Sequence, residues 1–321
     1  MVIGSIGDNG ELRGVVAIGA SAGGVEALSK LAAGLSPDVP YAYAITLHVR
    51  AGAPSVLARI VDRSGPLPAV AAEDGAKLEP GRIYVARPDH HLLVADHRVV
   101  LSPGSTENGH RPAINALFRS IALAFGPRAV GVLLSGVLDD GVLGLAAIRS
   151  RGGVTIGQPP DDALFPAMPT NARDAGLLDH QAAAADIGAL LKELSHQERE
   201  DPEMEPDAAM ELENHIAVTS RFSTDFDTRQ LGAPSGYTCP DCNGSLVSIS
   251  EGNFRCRVGH AWTADALLAA RDDEVGQLAD RAETGLLNRR YTDLTEQTER
   301  ALKVLGERLS NNAPRGGGAG G

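Results

Sequence analysis

Between residues 12 and 192, short apolar runs alternate with stretches in which apolar positions recur every three or four residues. The short runs are rich in Val, Ile, Ala and Leu, as buried strands are, and the longer stretches have helical periodicity. Predicted strands cover Val15–Ile18, Ala42–Leu47, Ile83–Ala86, His91–Val94, Val99–Leu101, Ala129–Leu134 and Val154–Ile156. Predicted helices cover Val25–Leu35, Val56–Asp62, Ala113–Phe125, Leu143–Arg151 and Ile187–Leu194. This alternation predicts an α/β fold with a doubly wound, mostly parallel sheet.

Two features modify that pattern. Closely spaced strands between residues 83 and 101, separated by polar turns, predict an antiparallel hairpin attached to the main sheet. From Glu193 to Glu213 the chain has nine acidic residues and one arginine, which predicts a solvated acidic linker, either without regular structure or with frayed helix. The predicted organisation is therefore an α/β domain at 12–192, a linker at 193–234, a small ribbon with a helical module at 235–310, and a disordered Gly-rich tail at 311–321.

Composition limits the class of protein. The net charge of -12 argues against broad nucleic-acid binding, and no apolar run is long enough to insert into a membrane. No signal peptide opens the chain, so we expect a soluble, cytoplasmic protein. The three cysteines fall within one short segment, which argues against a disulfide framework and for a metal site or a reduced compartment.

The cysteine segment has the spacing of a zinc ribbon. Cys239, Cys242, Cys256 and His260 form a C-x2-C-x13-C-x3-H pattern, and a hairpin between the second and third cysteines would bring the two pairs together. Three sulfurs and one imidazole complete a tetrahedral zinc site without an open position, so the predicted metal is structural. The alternative is a metal-free ribbon with three reduced cysteines. We interpret this region and the helix from Ala264 to Leu309 as a module that either docks a signalling partner or regulates the enzyme.

The candidate chemistry begins at a glycine-rich turn. Ser21 lies in Gly19-Ala20-Ser21-Ala22-Gly23-Gly24, between a predicted strand and a predicted helix. Such a turn exposes the hydroxyl and directs amide N–H groups toward an anion. His48 ends the second strand, and Asp140 follows the strand at 129–134. The carboxyl ends of parallel strands lie at the same edge of a sheet, so these three residues are predicted to lie close together there. In that arrangement Ser21 would be the nucleophile, His48 the base and Asp140 the acid that orients the base.

Each of these signals has a simpler interpretation. The Gly-rich turn is also typical of a phosphate-binding loop, a histidine after a strand is often solvated, and Asp-Asp-Gly is common in turns. Against nucleotide binding, the glycines do not form Gly-x-Gly-x-x-Gly, and a histidine stands where a ribose-binding acid is expected. Three functions stay open at this point: a serine hydrolase, a catalytically silent adaptor, and a nucleotide- or phosphate-binding protein.

Several segments in order resemble the catalytic domain of the chemotaxis protein-glutamate methylesterase family, over residues 14 to 190. The segments are Ile18-Gly19-Ala20-Ser21-Ala22-Gly23-Gly24, Leu47-His48-Val49, Gly81-Arg82-Ile83-Tyr84-Val85-Ala86, Arg111-Pro112, Leu134-Ser135-Gly136 through Asp139-Asp140-Gly141, and Pro166-Ala167-Met168-Pro169. The resemblance implies hydrolysis of glutamyl methyl esters on chemoreceptor helices, with release of methanol and without a catalytic cofactor. It also implies that some members deamidate receptor glutamines.

Carried over by position, the resemblance implies Ser21 as nucleophile, His48 as base and Asp140, directly before the glycine, as acid. Ala22 and the loop of Gly136, Val137 and Leu138 are expected to supply oxyanion donors or to contact the substrate. Arg111 steers the acidic receptor face, orders the loop or forms only a surface ion pair, and Met168 either faces the substrate or packs in the core.

The chain also departs from the family pattern. Only about a dozen residues precede the first strand, which leaves no room for the receiver domain that many members carry, so we expect control to come from elsewhere or to be absent. The family's Gly-Met-Gly before the acid is Gly136-Val137-Leu138 here, and the bulkier Leu138 is expected to alter the shape of that loop.

Overall fold

A computed structural model of the protein describes residues 12–197, 205–219 and 232–273, together with Thr292, Thr295, Glu296, Glu299, Arg300 and Lys303. The chain divides into two compact units, Met1–Leu267 and Leu268–Gly321. The elements that position the site all lie in the first unit. Residues 264–273 are helical, whereas most of the predicted helix to Leu309, the tail at 311–321 and parts of the acidic linker lie outside the described residues.

The core of the first unit is a seven-stranded sheet in the order β3-β4-β2-β1-β7-β8-β9, within the described ranges. Every neighbouring pair in it is parallel, which confirms the predicted α/β fold. The strands are β1 (Gly14–Ala20), β2 (Tyr41–Leu47), β3 (Ala69–Ala71), β4 (Ile83–Val85), β7 (Ala129–Leu133), β8 (Val154–Gly157) and β9 (His180–Gln181). The chain leaves β1 in one direction for β2 and later returns to its other side for β7, so strand order reverses at β1.

Helices cover both faces of this sheet, which is why its central strands are continuous apolar runs. Val16 and Ile18 of β1 point into one core with Leu28 and Leu31 of a helix, whereas alternate β1 positions point into the opposite core. The helices are α1 (Gly24–Gly34), α2 (Leu57–Ser64), α3 (Ile114–Phe125), α4 (Val142–Ser150), α5 (Ala167–Asp174), α6 (Ile187–Ser195) and α7 (Ala208–Val218). No helix in the described part of the chain meets the length and apolarity that a membrane span needs.

The hairpin differs from the prediction in one respect. Strands β5 (His91–Ala95) and β6 (Arg98–Ser102) form an antiparallel pair of their own and do not join the main sheet. Asp96 and His97 both have positive φ, of 47° and 58°, as a two-residue hairpin turn requires. The hairpin packs on α3 through Leu92 and Val94, because β4 is already paired on both edges.

Part of the segment predicted as an acidic linker is helix α7, which is capped at its start and buried at its end. Asp207 caps α7 by accepting a hydrogen bond from Met210 N at 3.0 Å, and Ile216 and Ala217 at the other end are buried. After it comes a four-stranded antiparallel sheet, here called the ribbon, made of β10 (Ala233–Thr238), β11 (Ser245–Ser250), β12 (Asn253–Cys256) and β13 (Ala261–Thr263). The ribbon belongs to the same compact unit as the main sheet, which the sequence did not predict.

Candidate active site

Ser21 lies in the turn between β1 and α1. Gly23 has φ of 72°, and a Cβ there would lie 2.6 Å from Ser135 Oγ, so only glycine fits. Ser21 N donates to Ser135 O at 2.9 Å, which fastens the turn to the loop after β7. The turn thereby fixes the serine backbone at the sheet edge where strand order reverses.

The predicted catalytic residues come together at this edge. Ser21 follows β1, His48 follows β2, and Asp140 lies in the loop after β7. His48 Nδ1 is 3.1 Å from Ser21 Oγ, and His48 Nε2 is 2.7 Å from Asp140 Oδ2. Nucleophile, base and acid thus form one hydrogen-bonded chain across three strand ends.

Asp140 is buried, with 2% of its surface exposed, yet both of its carboxylate oxygens accept hydrogen bonds. Oδ2 accepts from Ile114 N at 2.7 Å and Oδ1 from Asn115 N at 3.3 Å, both at the N-terminus of α3. Burial alone would raise the pKa of Asp140, but the hydrogen bonds from His48 and Ile114 lower it below its ordinary value. The carboxylate therefore stays charged and acts as an acceptor.

That charge sets the imidazole tautomer. A carboxylate only accepts, so His48 Nε2 carries the proton that it donates to Asp140. Nδ1 is then the free base and accepts from the Ser21 hydroxyl. This is the protonation state in which a histidine can take the proton of a nucleophilic serine.

A second histidine lies against this base, which no sequence motif indicated. His110 stacks on His48 with ring centroids 3.7 Å apart and planes 12° from parallel. Burial, and secondarily the proximity of His48, lowers the pKa of His110 to about 4, so the stacked ring is neutral near pH 7. We interpret His110 as a positioning residue that keeps His48 from rotating; only tertiary structure brings the two rings together.

The predicted oxyanion donors divide into two groups. Gly136 N donates to Phe165 O at 2.9 Å, so this amide is committed elsewhere, contrary to the expectation for Gly136. Among the described residues, none accepts a hydrogen bond from the amides of Ala22, Val137 or Leu138. These three amides stay available as donors to a developing oxyanion.

Leu138 adopts the backbone conformation that favours glycine. Its φ is 61°, a region that costs a non-glycine residue about 1–2 kcal/mol. Its carbonyl accepts from Asn171 Nδ2 at 2.9 Å, which holds the loop in place. The loop thus has a left-handed turn at the position where the resemblance described above implies a glycine.

The two other predicted residues have structural contacts. Arg111 donates through Nε to Asp89 Oδ1 at 3.1 Å and through Nη1 to Gly104 O at 2.7 Å, which ties two loops together. Met168 is fully buried under Gly136, so it packs against the loop and does not face solvent.

Asp139, next to the acid, is held from the ribbon. Its Oδ1 accepts from Thr263 Oγ1 at 2.8 Å. Burial raises the pKa of Asp139 to about 6, although the Thr263 hydrogen bond opposes that shift. Its different surroundings distinguish it from Asp140, which alone contacts His48.

The ribbon brings Cys239, Cys242, Cys256 and His260 together, with their donor atoms all within 4.8 Å of one another. Cys242 Sγ and Cys256 Sγ are 3.6 Å apart, too far for a disulfide. His260 Nδ1 is 3.6 Å from Cys239 Sγ and 3.4 Å from Cys256 Sγ. Donors at zinc–ligand distances on a tetrahedron are separated by about 3.3–3.8 Å, a range that includes these three distances, so the residue types and their spacing fit a zinc ion.

A serine, an imidazole and a buried carboxylate linked in this way at the switch point of a parallel sheet define the active site of a serine hydrolase. The protein-family model described as CheB methylesterase matches residues 16–191, more than half of the chain. The chain belongs to that family.

Similar proteins of known name agree with this assignment. Protein-glutamate methylesterase/protein-glutamine glutaminase 3 of Anaeromyxobacter dehalogenans is 42% identical over 167 residues, which are 51% of this chain and 49% of that protein. The similarly named protein 1 of Caulobacter vibrioides is 38% identical over 189 residues, 58% of this chain and 55% of that protein. The chain therefore spans about half the length of these relatives.

A solved structure shares the fold. The crystal structure of the Thermotoga maritima CheB methylesterase catalytic domain superposes with a TM-score of 0.54 and 28% identity, covering 56% of this chain and 98% of that one.

Proposed function

We propose that the protein hydrolyses glutamyl γ-methyl esters on a chemoreceptor-like protein through an acyl-enzyme on Ser21. The observation that carries the proposal is the continuous hydrogen-bonded chain Ser21–His48–Asp140, with the tautomer that nucleophilic attack requires. Membership in the CheB methylesterase family and the names of its relatives supply the substrate class.

The geometry supports a two-step acyl transfer. Ser21 Oγ attacks the ester carbonyl while His48 Nδ1 takes its proton, and the amides of Ala22 and Val137 stabilise the oxyanion. The carbon–methoxy bond then breaks, and His48 returns the proton to the departing oxygen, which leaves as methanol. Water, deprotonated by His48, hydrolyses the acyl-enzyme and releases the glutamate carboxylate and free Ser21. No step needs a cofactor.

Apolar side chains beside the nucleophile favour a protein substrate. Leu164 and Phe165 are 65% and 42% exposed, and both face Gly23 in the turn that carries Ser21. Val25 and Val137, also on the segments around Ser21, are exposed as well. An apolar rim of this kind suits one face of an amphipathic receptor helix.

The test measures methanol release from a chemoreceptor cytoplasmic fragment that carries tritiated glutamyl methyl esters. We expect release by the wild-type protein and a loss of at least about 10⁴-fold in Ser21→Ala. Ser29→Ala is the matched control, since Ser29 lies on α1 and donates to Val25 O of its own helix. Equal release by wild type and Ser21→Ala would refute the proposal.

A p-nitrophenyl ester separates the competing functions. If the protein turns over the p-nitrophenyl ester in a Ser21-dependent way but releases no methanol, it is a hydrolase and the methylated receptor is not its substrate. A folded protein that turns over neither compound would favour the silent adaptor.

The same site has the chemistry for a second activity. A glutamine side-chain amide forms the same acyl-enzyme with ammonia as the leaving group, and the names of the relatives pair the two activities. Ammonia release from the unmethylated receptor fragment, lost in Ser21→Ala, tests it. The partner of the C-terminal module stays a prediction.

A further inference from the structure

The ribbon lies directly against the catalytic loops. Two of its Cys/His donors, Cys256 and His260, flank the connection between β12 and β13. Arg255 immediately precedes the first donor and Ala261 immediately follows the second, and Cys256 N donates to His260 O at 2.9 Å. The residues next to these donors are the ones that reach the active site.

The first contact is a strand-like pairing with residues 104–110, here called the 104–110 loop. Asn108 N donates to Ala261 O at 2.8 Å, and Ala261 N donates to Thr106 O at 3.2 Å. Trp262 covers Gly109, where a Cβ would lie 3.3 Å from its ring. This loop carries His110, which stacks on the catalytic base His48. The ribbon therefore contacts the loop whose histidine packs against the base.

The second contact reaches the acid. Thr263 donates through its backbone N to Asn108 Oδ1 at 2.9 Å and through Oγ1 to Asp139 Oδ1 at 2.8 Å. Asn108 Nδ2 in turn lies 3.5 Å from Asp140 Oδ1. One residue of β13 thus holds both the 104–110 loop and the loop that carries the catalytic acid.

A buried ion cluster fixes the same interface. Arg255, 1% exposed, lies 3.5 Å from Glu107, which also pairs with Arg119 of α3 at 2.6 Å. Glu213 of α7 pairs with both arginines. Burial would raise the pKa of Glu107, but Arg119 and Arg255 lower it, so the charge is retained. A cavity of only about 20 Å³ lies beside this cluster, room for about one water.

We propose that Cys239, Cys242, Cys256 and His260 bind one Zn²⁺ and that this ion, by fixing the β12–β13 connection, makes Thr263 a positioning residue for the catalytic loops. The ion itself takes no part in the chemistry, because four protein donors leave no open position. The kinetic part of this proposal rests on the proposed hydrolase function, whereas the metal content and the loop order do not.

Metal analysis tests the site itself. Protein purified under reducing conditions, or reloaded with zinc chloride, is expected to contain one zinc per chain, and Cys242→Ser to lose it. If reduced wild-type protein binds no added zinc, or Cys242→Ser binds as much, the site is refuted.

Hydrogen–deuterium exchange tests the coupling without reference to activity. Removal of zinc with a chelator is expected to accelerate exchange in peptides that cover residues 104–110 and 136–143, while α2 on the other face of the sheet is unchanged. Faster exchange confined to the ribbon would contradict the coupling.

Paired substitutions at Thr263 test the positioning role. Thr263→Val keeps the shape and the backbone N–H but removes the hydroxyl that holds Asp139, and we expect kcat for a p-nitrophenyl ester to fall about 10-fold to 100-fold with little change in KM and with zinc retained. Thr263→Ser should restore kcat, and Ser248→Ala, on β11 away from the interface, should leave it unchanged. Wild-type kcat in a zinc-loaded Thr263→Val protein would overturn the proposal. A wild-type protein without esterase activity would count against the proposed function only, since the zinc and exchange experiments still decide the rest.

Discussion

Replacing Asp140 by asparagine examines the acid that orients the base. An asparagine has one oxygen and one NH₂ where the carboxylate has two acceptors, and all four groups around Asp140 donate. Oδ2 accepts from His48 and Ile114, and Oδ1 accepts from Asn115 and lies near the amide of Asn108. Either orientation of the new amide therefore places a donor against a donor.

The two orientations have different costs. With the NH₂ toward His48, Nε2 must become the acceptor, the proton moves to Nδ1, and the base toward Ser21 is lost; the wrong tautomer costs about 10⁴-fold in kcat, or about 5.5 kcal/mol. With the oxygen toward His48, the tautomer survives, but the NH₂ meets the Asn115 amide and the imidazolium loses its counter-charge. A lost charged hydrogen bond alone is worth about 1.5–3 kcal/mol, or at least about 10-fold to 100-fold.

We therefore expect Asp140→Asn to lower kcat by about 10² to 10⁴-fold with a smaller change in KM, measured with a p-nitrophenyl ester and with methyl-ester release. We also expect unfolding by urea to show a loss of about 1–3 kcal/mol, because two amides at the N-terminus of α3 lose a charged acceptor. Asp139→Asn is the matched control: it retains an oxygen for Thr263 and should stay within about threefold of wild type. A kcat within fivefold of wild type in Asp140→Asn, or an equal loss in Asp139→Asn, would refute the assignment of the acid.

Three further predictions follow from particular contacts. Burial raises the folded-state pKa of Asp139 from 3.8 to about 6, so its contribution to stability is present below about pH 4 and is lost as the pH rises through 6. Urea unfolding should therefore show Asp139→Asn more stable than wild type by about 2 kcal/mol at pH 8 but by little at pH 4. A stability difference that does not depend on pH would contradict the shift. His110→Ala removes the ring that stacks on His48 and should lower kcat about tenfold, whereas His110→Phe keeps a ring there and should retain most activity. Equal kinetics for His110→Ala and wild type would show that His110 does not position the base. Gly23→Ala should destabilise the fold by about 2–4 kcal/mol and slow labelling by a serine-reactive phosphonate, because its Cβ would strike Ser135 Oγ. Gly52→Ala, with a similar φ of 77° but open space around it, should cost only about 1 kcal/mol, and equal losses at the two glycines would mean that the clash is absent.

The α/β fold and the three strand-end residues could be predicted because both follow from local pattern. Continuous apolar runs indicate strands buried on both faces, and parallel strands bring the residues after β1, β2 and β7 to one edge whatever the details of packing. The glycine at position 23 and the acid before Gly141 were readable for the same reason, since turn geometry and strand ends are local properties.

The contacts that complete the site are not local. His110 stacks on His48, and Thr263 holds Asp139 across more than a hundred residues of sequence; neither residue has a pattern around it that indicates such a partner. The sequence also suggested Gly136 as an oxyanion donor, but a loop from elsewhere takes its amide. Spacing alone identified the Cys/His set, yet where the ribbon sits depends on the buried pairing of Arg255 with Glu107. Periodicity thus determined the scaffold and the reacting groups, whereas side-chain packing between distant segments decided what holds those groups in position.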